Sequence, residues 1–206
     1  MRTLALVTAK GGSGKSSLAV SLAVAAHQRG LRTYVVDLDP QGTARNWFAR
    51  RKAEVPEVAA IESAQLAAGL LELSRQAYDL VIVDTPGADT PAAIAAMAAV
   101  DFVLIPARPS IADIEAARPT VQSLTRLGKP FGFVVTQAPA GRAMRTTDAY
   151  RALALAGVVS SVSVALRTDH LDALAQGLGV TELDPHGKAA AEIVELLDWI
   201  LKRIEP

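Results

Sequence analysis

The chain has 206 residues, of which 50% are hydrophobic, 20% are charged and 4% are aromatic, as is typical of a one-domain globular protein with an aliphatic core. Its 21 basic residues balance 21 acidic ones, which argues against a permanently basic nucleic-acid binder. Cysteine is absent, which excludes disulfide frameworks, zinc–thiolate sites, cysteine nucleophiles and cysteine-ligated iron–sulfur clusters.

Apolar runs of strand length alternate along the chain with longer helical patterns. The predicted strands cover residues 3–8, 33–37, 58–61, 80–84, 102–106, 131–136 and 158–164, of which the run at 58–61 is the weakest. The predicted helices cover residues 15–28, 43–52, 64–76, 91–99, 111–127, 144–156, 169–176 and 188–204. Most strands are unbroken Val, Ile and Leu runs, which suit a sheet buried on both faces. The alternation predicts one α/β domain over residues 1–206, with a mostly parallel, doubly wound sheet flanked by helices.

A glycine-rich segment, Lys10-Gly11-Gly12-Ser13-Gly14-Lys15-Ser16-Ser17, joins the first predicted strand to the first predicted helix. In this context glycines let backbone N–H groups turn toward phosphate oxygens, and the helix adds its positive dipole end. Lys15 is predicted to neutralise the β- and γ-phosphates, Ser16 to bind Mg²⁺ and Ser17 to reach the α-phosphate. Ala9 replaces the first glycine of the general pattern G-x-x-x-x-G-K-[ST], so a glycine-rich turn without a ligand is the alternative.

Carboxylates follow two further predicted strands. Asp84 ends the run 80–84, where a carboxylate stands beside the phosphate-loop Mg²⁺, and Asp37 and Asp39 follow the run 33–37. Ligands of open α/β sheets collect at the carboxyl ends of strands, so three strand ends are predicted to converge on one nucleotide. The alternative for Asp37 or Asp39 is a cap of a helix or turn.

Together these segments resemble the ParA/MinD family of P-loop ATPases. Lys10–Ser17 matches their deviant Walker A box, with its additional lysine at Lys10; residues 37–42 match their second box and residues 82–87 their Walker B strand. A proline-containing loop at residues 106–110, followed by Asp113, extends the likeness, as does a C-terminal pattern of Arg167, Gly177 and Glu182. The chain starts at its first predicted strand, so we expect no N-terminal DNA-binding extension, and the sequence looks most like the small, ParF-like partition proteins.

The resemblance implies a switch driven by ATP, ADP and Mg²⁺. ATP closes two subunits into a homodimer, with Lys10 of one reaching the phosphates of the other. Lys15 contacts the phosphates, Asp39 orients the attacking water, and Ser16, Asp39 and Asp84 hold the Mg²⁺ shell. Hydrolysis is slow until a partner accelerates it. The ATP dimer binds DNA without sequence preference and partitions or positions a plasmid, chromosome region or protein cargo, with a ParB-type adaptor or a cargo protein as partner.

The family also places the adenine base between loops that follow the last strands. Gln137 and Arg167 are predicted to line this site. DNA contacts are less defined: a cluster at Arg142, Arg145 and Arg151 is one candidate, and scattered surface charge is the alternative. In the basic segment 45–52, the pattern favours a helix with Trp47 packed and its arginines solvated.

Two other functions remain open at this point: a small-molecule ligase or synthetase of the same superfamily, and a membrane-associated MinD-like positioning ATPase. The last predicted helix has an apolar face, but its polar face is acidic rather than basic, which favours packing on the sheet over membrane binding. No apolar run reaches the ~18–20 residues of a membrane span, and no signal-peptide cleavage pattern is found. We therefore predict a cytoplasmic, nucleoid-associated protein with no membrane partner.

Overall fold

The computed structural model describes residues 1–139 and 143–204. Within these ranges the chain forms eight strands and ten α-helices. The strands are β1 (Arg2–Thr8), β2 (Thr33–Asp37), β3 (Glu57–Ala60), β4 (Leu80–Gly87), β5 (Phe102–Ala107), β6 (Phe131–Ala138), β7 (Val158–Val159) and β8 (Val164–Ala165). The helices are α1 (Lys15–Gln28), α2 (Thr43–Arg50), α3 (Leu66–Arg75), α4 (Pro91–Ala99), α5 (Ile111–Ala116), α6 (Arg118–Leu127), α7 (Met144–Ala154), α8 (Asp169–Gln176), α9 (Val180–Leu183) and α10 (Lys188–Leu201).

All strand pairings are parallel, and the strand order is β3–β2–β4–β1–β5–β6–β7. The short β8 also pairs with β6, nearer the carboxyl end of β6 than β7 does. The register aligns Asp37 of β2 with Asp84 of β4, and Asp84 in turn with Leu6 of β1. The carboxyl ends of β2, β4 and β1 therefore meet at one edge of the sheet, next to the point where the strand order reverses. Ligands of doubly wound sheets bind at such a switch point.

Successive strand residues supply two separate aliphatic cores, one on each face of the sheet. Leu6 and Ile82 belong to the core under α1, α2 and α10, whereas Val7 and Val83 belong to the core under α3, α4 and α6. The last helix is part of the first core, since its residues Ile193, Leu196, Leu197 and Ile200 are fully buried. These observations confirm the doubly wound sheet and the packing of the last helix against it.

The predicted helix over residues 111–127 is wrong in one respect, because the structure divides it at Ala117 into α5 and α6. Pro119 lies in the first turn of α6. Proline has no N–H to donate, and its ring clashes with the carbonyl four residues earlier, so a proline in a helix interior kinks or breaks the helix. The break leaves α5 as a short helix, separated from the end of β5 by residues 108–110.

The predicted strand over residues 158–164 is also wrong, because only its two ends pair with β6, as β7 and β8. Between them, the backbone N–H of Val162 donates to the Ser160 hydroxyl at 3.1 Å. Serine side chains compete in this way with strand hydrogen bonds, and the serine-rich centre of the run leaves the sheet. The short α9 was not predicted, and α2, α7 and α10 end two or three residues before their predicted ends.

Trp47 packs as predicted, but the expectation of solvated arginines is wrong for Arg51. Trp47 is fully buried, and its indole N–H donates to the Leu178 carbonyl at 3.0 Å. The Arg51 side chain is 2% exposed and donates to both carboxylate oxygens of Glu182, at 2.7 and 2.8 Å. A Cβ on Gly177, at φ +70, would lie 2.6 Å from the Arg51 backbone, so only glycine permits this approach. The ion pair ties the end of α2 to α9.

Candidate functional site

The segment between β1 and α1 wraps around an open cleft of about 350 Å³. Gly12 and Gly14 have φ angles of +75° and +91°, in the left-handed region that glycine adopts without strain. The lining consists of Gly11, Gly12, Ser13, Gly14, Lys15, Ser16, Ser17, Asp39, Gln41, Thr43, Pro86 and Gly87. The first N–H groups of α1 have no intrahelical partner, and they adjoin this cleft, which suits an anion.

Lys15, the first residue of α1, brings a cation to the floor of this cleft. Burial lowers the pKa of Lys15, and the negative charges of Asp84 and Asp39 oppose that shift. A partly desolvated ammonium group interacts strongly with phosphate because little water competes for it. The side chain predicted to contact phosphates is therefore placed in the cleft, next to both predicted carboxylates.

Asp84 is a fully buried carboxylate, and in the part of the chain that the structure describes neither of its oxygens has a hydrogen-bond partner. Burial raises the pKa of Asp84 to about 7, and the nearby Ser16 side chain opposes the shift. A buried carboxylate without partners is unfavourable unless a cation or water joins it. Asp84 and Ser16 therefore fit a Mg²⁺ shell, in which phosphate and water oxygens would supply the remaining ligands.

The two carboxylates after β2 have different environments. Asp37 is buried and accepts hydrogen bonds from the backbone N–H groups of Asp39 and Arg45, both at 3.0 Å. Asp37 thus acts as the cap that the sequence left open as an alternative, and it holds the β2–α2 turn. Asp39 is half-buried, accepts from the Gln41 N–H at 3.0 Å and lines the cleft. Of the two, Asp39 is placed to meet a ligand.

A second, smaller cleft of about 110 Å³ adjoins the phosphate loop and contains both residues predicted to line the base site. Gln137 has a left-handed backbone, at φ +51°, and its side-chain N–H donates to the Gly12 carbonyl at 2.5 Å. Arg167 donates to Glu192 at 2.6 Å. His170 also lines this cleft, with Nε2 buried and without a partner among the described residues, and burial lowers its pKa. His170 was not predicted as a site residue, because a lone histidine in a helix carries no ligand pattern.

Lys10, the additional lysine of the loop, is not among the described residues whose atoms line the phosphate cleft. Its Nζ lies 3.9 Å from Oδ2 of Asp113, in α5. Asp113 is buried and also accepts from Arg108 Nε, at 2.8 Å, and from the Ser110 hydroxyl. Asp113 was part of the family resemblance, but its contact with Lys10 was not predicted from the sequence.

Of the predicted basic cluster, Arg142 lies outside the described residues, and Arg145 and Arg151 lie on α7.

The parallel sheet, the glycine loop before α1 and the lysine, serine and aspartate around one cleft define a P-loop nucleotide-binding protein. The family model of the CobQ/CobB/MinD/ParA nucleotide-binding domain matches residues 4–202, and the chain belongs to this family. The resemblance to ParA/MinD proteins drawn from the motifs is thereby confirmed.

Several known proteins are similar over much of the chain. The maintenance of carboxysome distribution protein A (McdA) of Halothiobacillus neapolitanus is 29% identical over 97% of this chain and 96% of its own length. The chromosome-partitioning ATPase Soj of Thermus thermophilus is 30% identical over 52% of this chain and 54% of its own. The solved ATP complex of a Cyanothece McdA variant has a TM-score of 0.80 at 21% identity, covering 100% of this chain and 98% of that one, which supports the shared fold. Among the described helices, none is long and apolar enough to cross a bilayer.

Proposed function

We propose that this protein is a Mg²⁺-dependent ATPase that forms a homodimer with ATP, binds DNA without sequence preference in that state, and partitions or positions a cargo. The observation that carries the proposal is that the two lysines of the phosphate loop lie in different places. Lys15 lines the phosphate cleft of its own chain, whereas Lys10 does not line that cleft and its Nζ lies 3.9 Å from Oδ2 of Asp113. A cation placed outside its own site is available to a second subunit.

Within one subunit, each polar group of the cleft has a distinct role in the proposal. The glycine loop and the start of α1 bind the phosphates, with Lys15 offsetting their charge. Ser16 and Asp84 would hold Mg²⁺, with Asp39 beside them, and a bound ion would offset negative charge on the phosphate oxygens. Asp39 also orients the water that attacks the γ-phosphate and releases ADP. Gln137 and Arg167 line the base site.

Hydrolysis in a single subunit is expected to be slow, because a loose phosphoryl-transfer transition state depends on positive charge around the transferring group. Lys10 of the second subunit completes that charge. A partner protein of ParB type, or the cargo itself, accelerates the step by stabilising the competent dimer. With ADP in place of ATP, Lys10 no longer has a γ-phosphate to contact in the other subunit, and the dimer separates.

DNA binding is proposed to depend on assembly. A chain with a formal net charge of zero holds DNA weakly, whereas pairing two subunits doubles any basic face, and bivalent contact tightens binding by ~10²-fold or more. The similarity to a carboxysome distribution protein and to a chromosome-partitioning ATPase supports a role in positioning or partition, with a plasmid, chromosome region or protein assembly as cargo. We propose a cytoplasmic, nucleoid-associated location without a membrane partner.

The proposal is tested by measuring DNA retention of the purified chain with ATP, with ADP and without nucleotide, at two salt concentrations, alongside sedimentation to report the dimer. We expect retention with ATP alone, in step with the dimer, and a steep loss at higher salt because phosphate contacts release counterions. Equal retention with ADP as a monomer, or none in any state, would contradict the DNA-based switch and favour the metabolic-enzyme alternative.

A further inference from the structure

The contact between Lys10 and Asp113 joins the phosphate loop to the first turn of α5. Three donors surround the Asp113 carboxylate: Arg108 Nε at 2.8 Å, the Ser110 hydroxyl, and Lys10 Nζ at 3.9 Å. Burial alone would raise the pKa of Asp113, but Arg108, Ser110 and Lys10 hold it below its usual value. The carboxylate is therefore ionised at neutral pH and attracts the lysine.

Of these three donors, Lys10 is the one that can leave at small cost. Its side chain is 38% exposed and its nitrogen is the most distant, whereas Arg108 donates at normal hydrogen-bond length. If Lys10 moves away, Asp113 keeps its bonds to Arg108 and Ser110, and no unpaired charge stays buried. Breaking an ion pair is strongly unfavourable when a buried partner is left alone, which this arrangement avoids.

We propose that Asp113 is a positioning residue that restrains Lys10 against its own chain until the nucleotide phosphates of a second subunit compete for it. The inference rests on the proposed function for the role of Lys10 in the dimer. Arg108 sets the strength of the restraint, because it shares the carboxylate and so weakens its attraction for Lys10. Assembly is thereby linked to the phosphate charge presented by the other subunit: several phosphate oxygens outcompete one shared carboxylate.

Two substitutions should act in opposite directions. Asp113→Asn removes the negative charge and frees Lys10, whereas Arg108→Gln leaves Lys10 as the cation that Asp113 retains. A half-exposed ion pair changes such equilibria by about two- to fivefold. General damage to the loop would move both variants the same way, so the opposite signs separate restraint from a merely structural role.

The first measurement is the rate at which an amine-reactive acylating reagent labels Lys10 in the nucleotide-free protein, read by peptide mass spectrometry. We expect labelling about two- to fivefold faster in Asp113→Asn and slower by a similar factor in Arg108→Gln. Glu115→Gln is the matched control, because it removes an exposed negative charge from the same helix and should leave the rate unchanged. Asp113→Glu should restore slow labelling.

The second measurement is the ATP concentration at which half of the protein sediments as a dimer. It should fall in Asp113→Asn and rise in Arg108→Gln. Labelling rates that match wild type, or that shift in the same direction in both variants, would overturn the restraint. If Asp113→Asn fails to fold by circular dichroism, Arg108→Gln decides: slower labelling supports the restraint, and any other rate rejects it. If the wild type never dimerises with ATP, the proposed function is contradicted. The labelling rates, which are measured without nucleotide, still test whether Asp113 restrains Lys10.

Discussion

Asp37 and Asp84 lie opposite each other in the register of β2 and β4, yet their carboxylates have opposite hydrogen-bond environments. Asp37 accepts two backbone N–H groups, from Asp39 and Arg45, and its oxygens are used to hold the β2–α2 turn. Asp84 has no partner among the described residues and is fully buried. One carboxylate therefore builds the site, and the other is left for a ligand.

Asp84→Asn should weaken Mg²⁺-dependent nucleotide binding by about 10–100-fold, because the variant lacks the buried charge that orients the metal shell. ATP titrations with and without Mg²⁺ give this directly. The exposed Asp89, on the loop after β4, provides the control, since Asp89→Asn removes a charge without touching the cleft lining. If Mg²⁺ enhances ATP affinity equally in Asp84→Asn and wild type, Asp84 has no role in the metal shell.

Lys15→Ala should lower ATP affinity by about 100-fold or more while the fold survives, because a charge-assisted contact to phosphate is lost from a partly desolvated cleft. The measurement pairs ATP affinity by calorimetry with far-ultraviolet circular dichroism. Lys52→Ala, in the exposed segment after α2, should bind ATP as wild type does. Wild-type affinity in a folded Lys15→Ala variant would remove Lys15 from the phosphate site.

Asp39→Ala should bind ATP and stay in the ATP dimer, with turnover reduced by about 10²-fold or more because the attacking water is no longer oriented. Steady-state phosphate release and sedimentation report the two properties separately. Asp39 accepts one backbone N–H, from Gln41, so the variant is expected to keep the fold. Unchanged turnover in the presence of a stimulating partner would show that another group orients the water.

Lys10→Ala should bind ATP through Lys15 but lose both the ATP dimer and DNA retention. We expect this result because Lys10 does not line the phosphate cleft of its own chain, so the substitution leaves that cleft intact. Nucleotide affinity, sedimentation and DNA retention are measured on the same preparation. A variant that still forms the dimer and binds DNA with ATP shows that Lys10 does not bridge the subunits.

Glu182→Gln should reduce the free energy of unfolding at pH 7 by about 3 kcal/mol, because it leaves the buried Arg51 guanidinium with a neutral partner. Burial alone would raise the pKa of Glu182, but the hydrogen bond from Arg51 holds it below the usual value. The pair therefore stabilises the fold above the ordinary glutamate pKa, and this contribution is lost as the pH falls through the lowered value.

Chemical denaturation of wild type and Glu182→Gln between pH 7 and pH 3 tests this prediction. The difference between the two proteins should be constant near neutral pH and shrink on acidification. The exposed pair of Glu72 and Arg75 is the control: Glu72→Gln should change stability by less than about 1 kcal/mol. A difference that grows toward low pH has the wrong sign for an ionised Glu182 paired with Arg51.

The features predicted correctly are those that depend on neighbours in the chain. The apolar runs indicate buried parallel strands, because a strand covered on both faces has no polar side. The glycines before Lys15 indicate a phosphate-type loop and the start of a helix, because glycine permits the backbone angles that such a loop requires. The carboxylates at the ends of β2 and β4 reach the same edge because parallel strands share a direction.

The tertiary structure decided which distant segments are in contact and which partner each polar side chain has. The sequence determined that Asp37 and Asp39 follow a strand, but only the folded chain assigns Asp37 to the β2–α2 turn and Asp39 to the cleft. Likewise, the sequence placed Lys10 in the phosphate loop, but only the folded chain brings its Nζ within 3.9 Å of Asp113, in α5. Local patterns specify backbone conformation, whereas a side chain's partner depends on which groups packing leaves unsatisfied nearby.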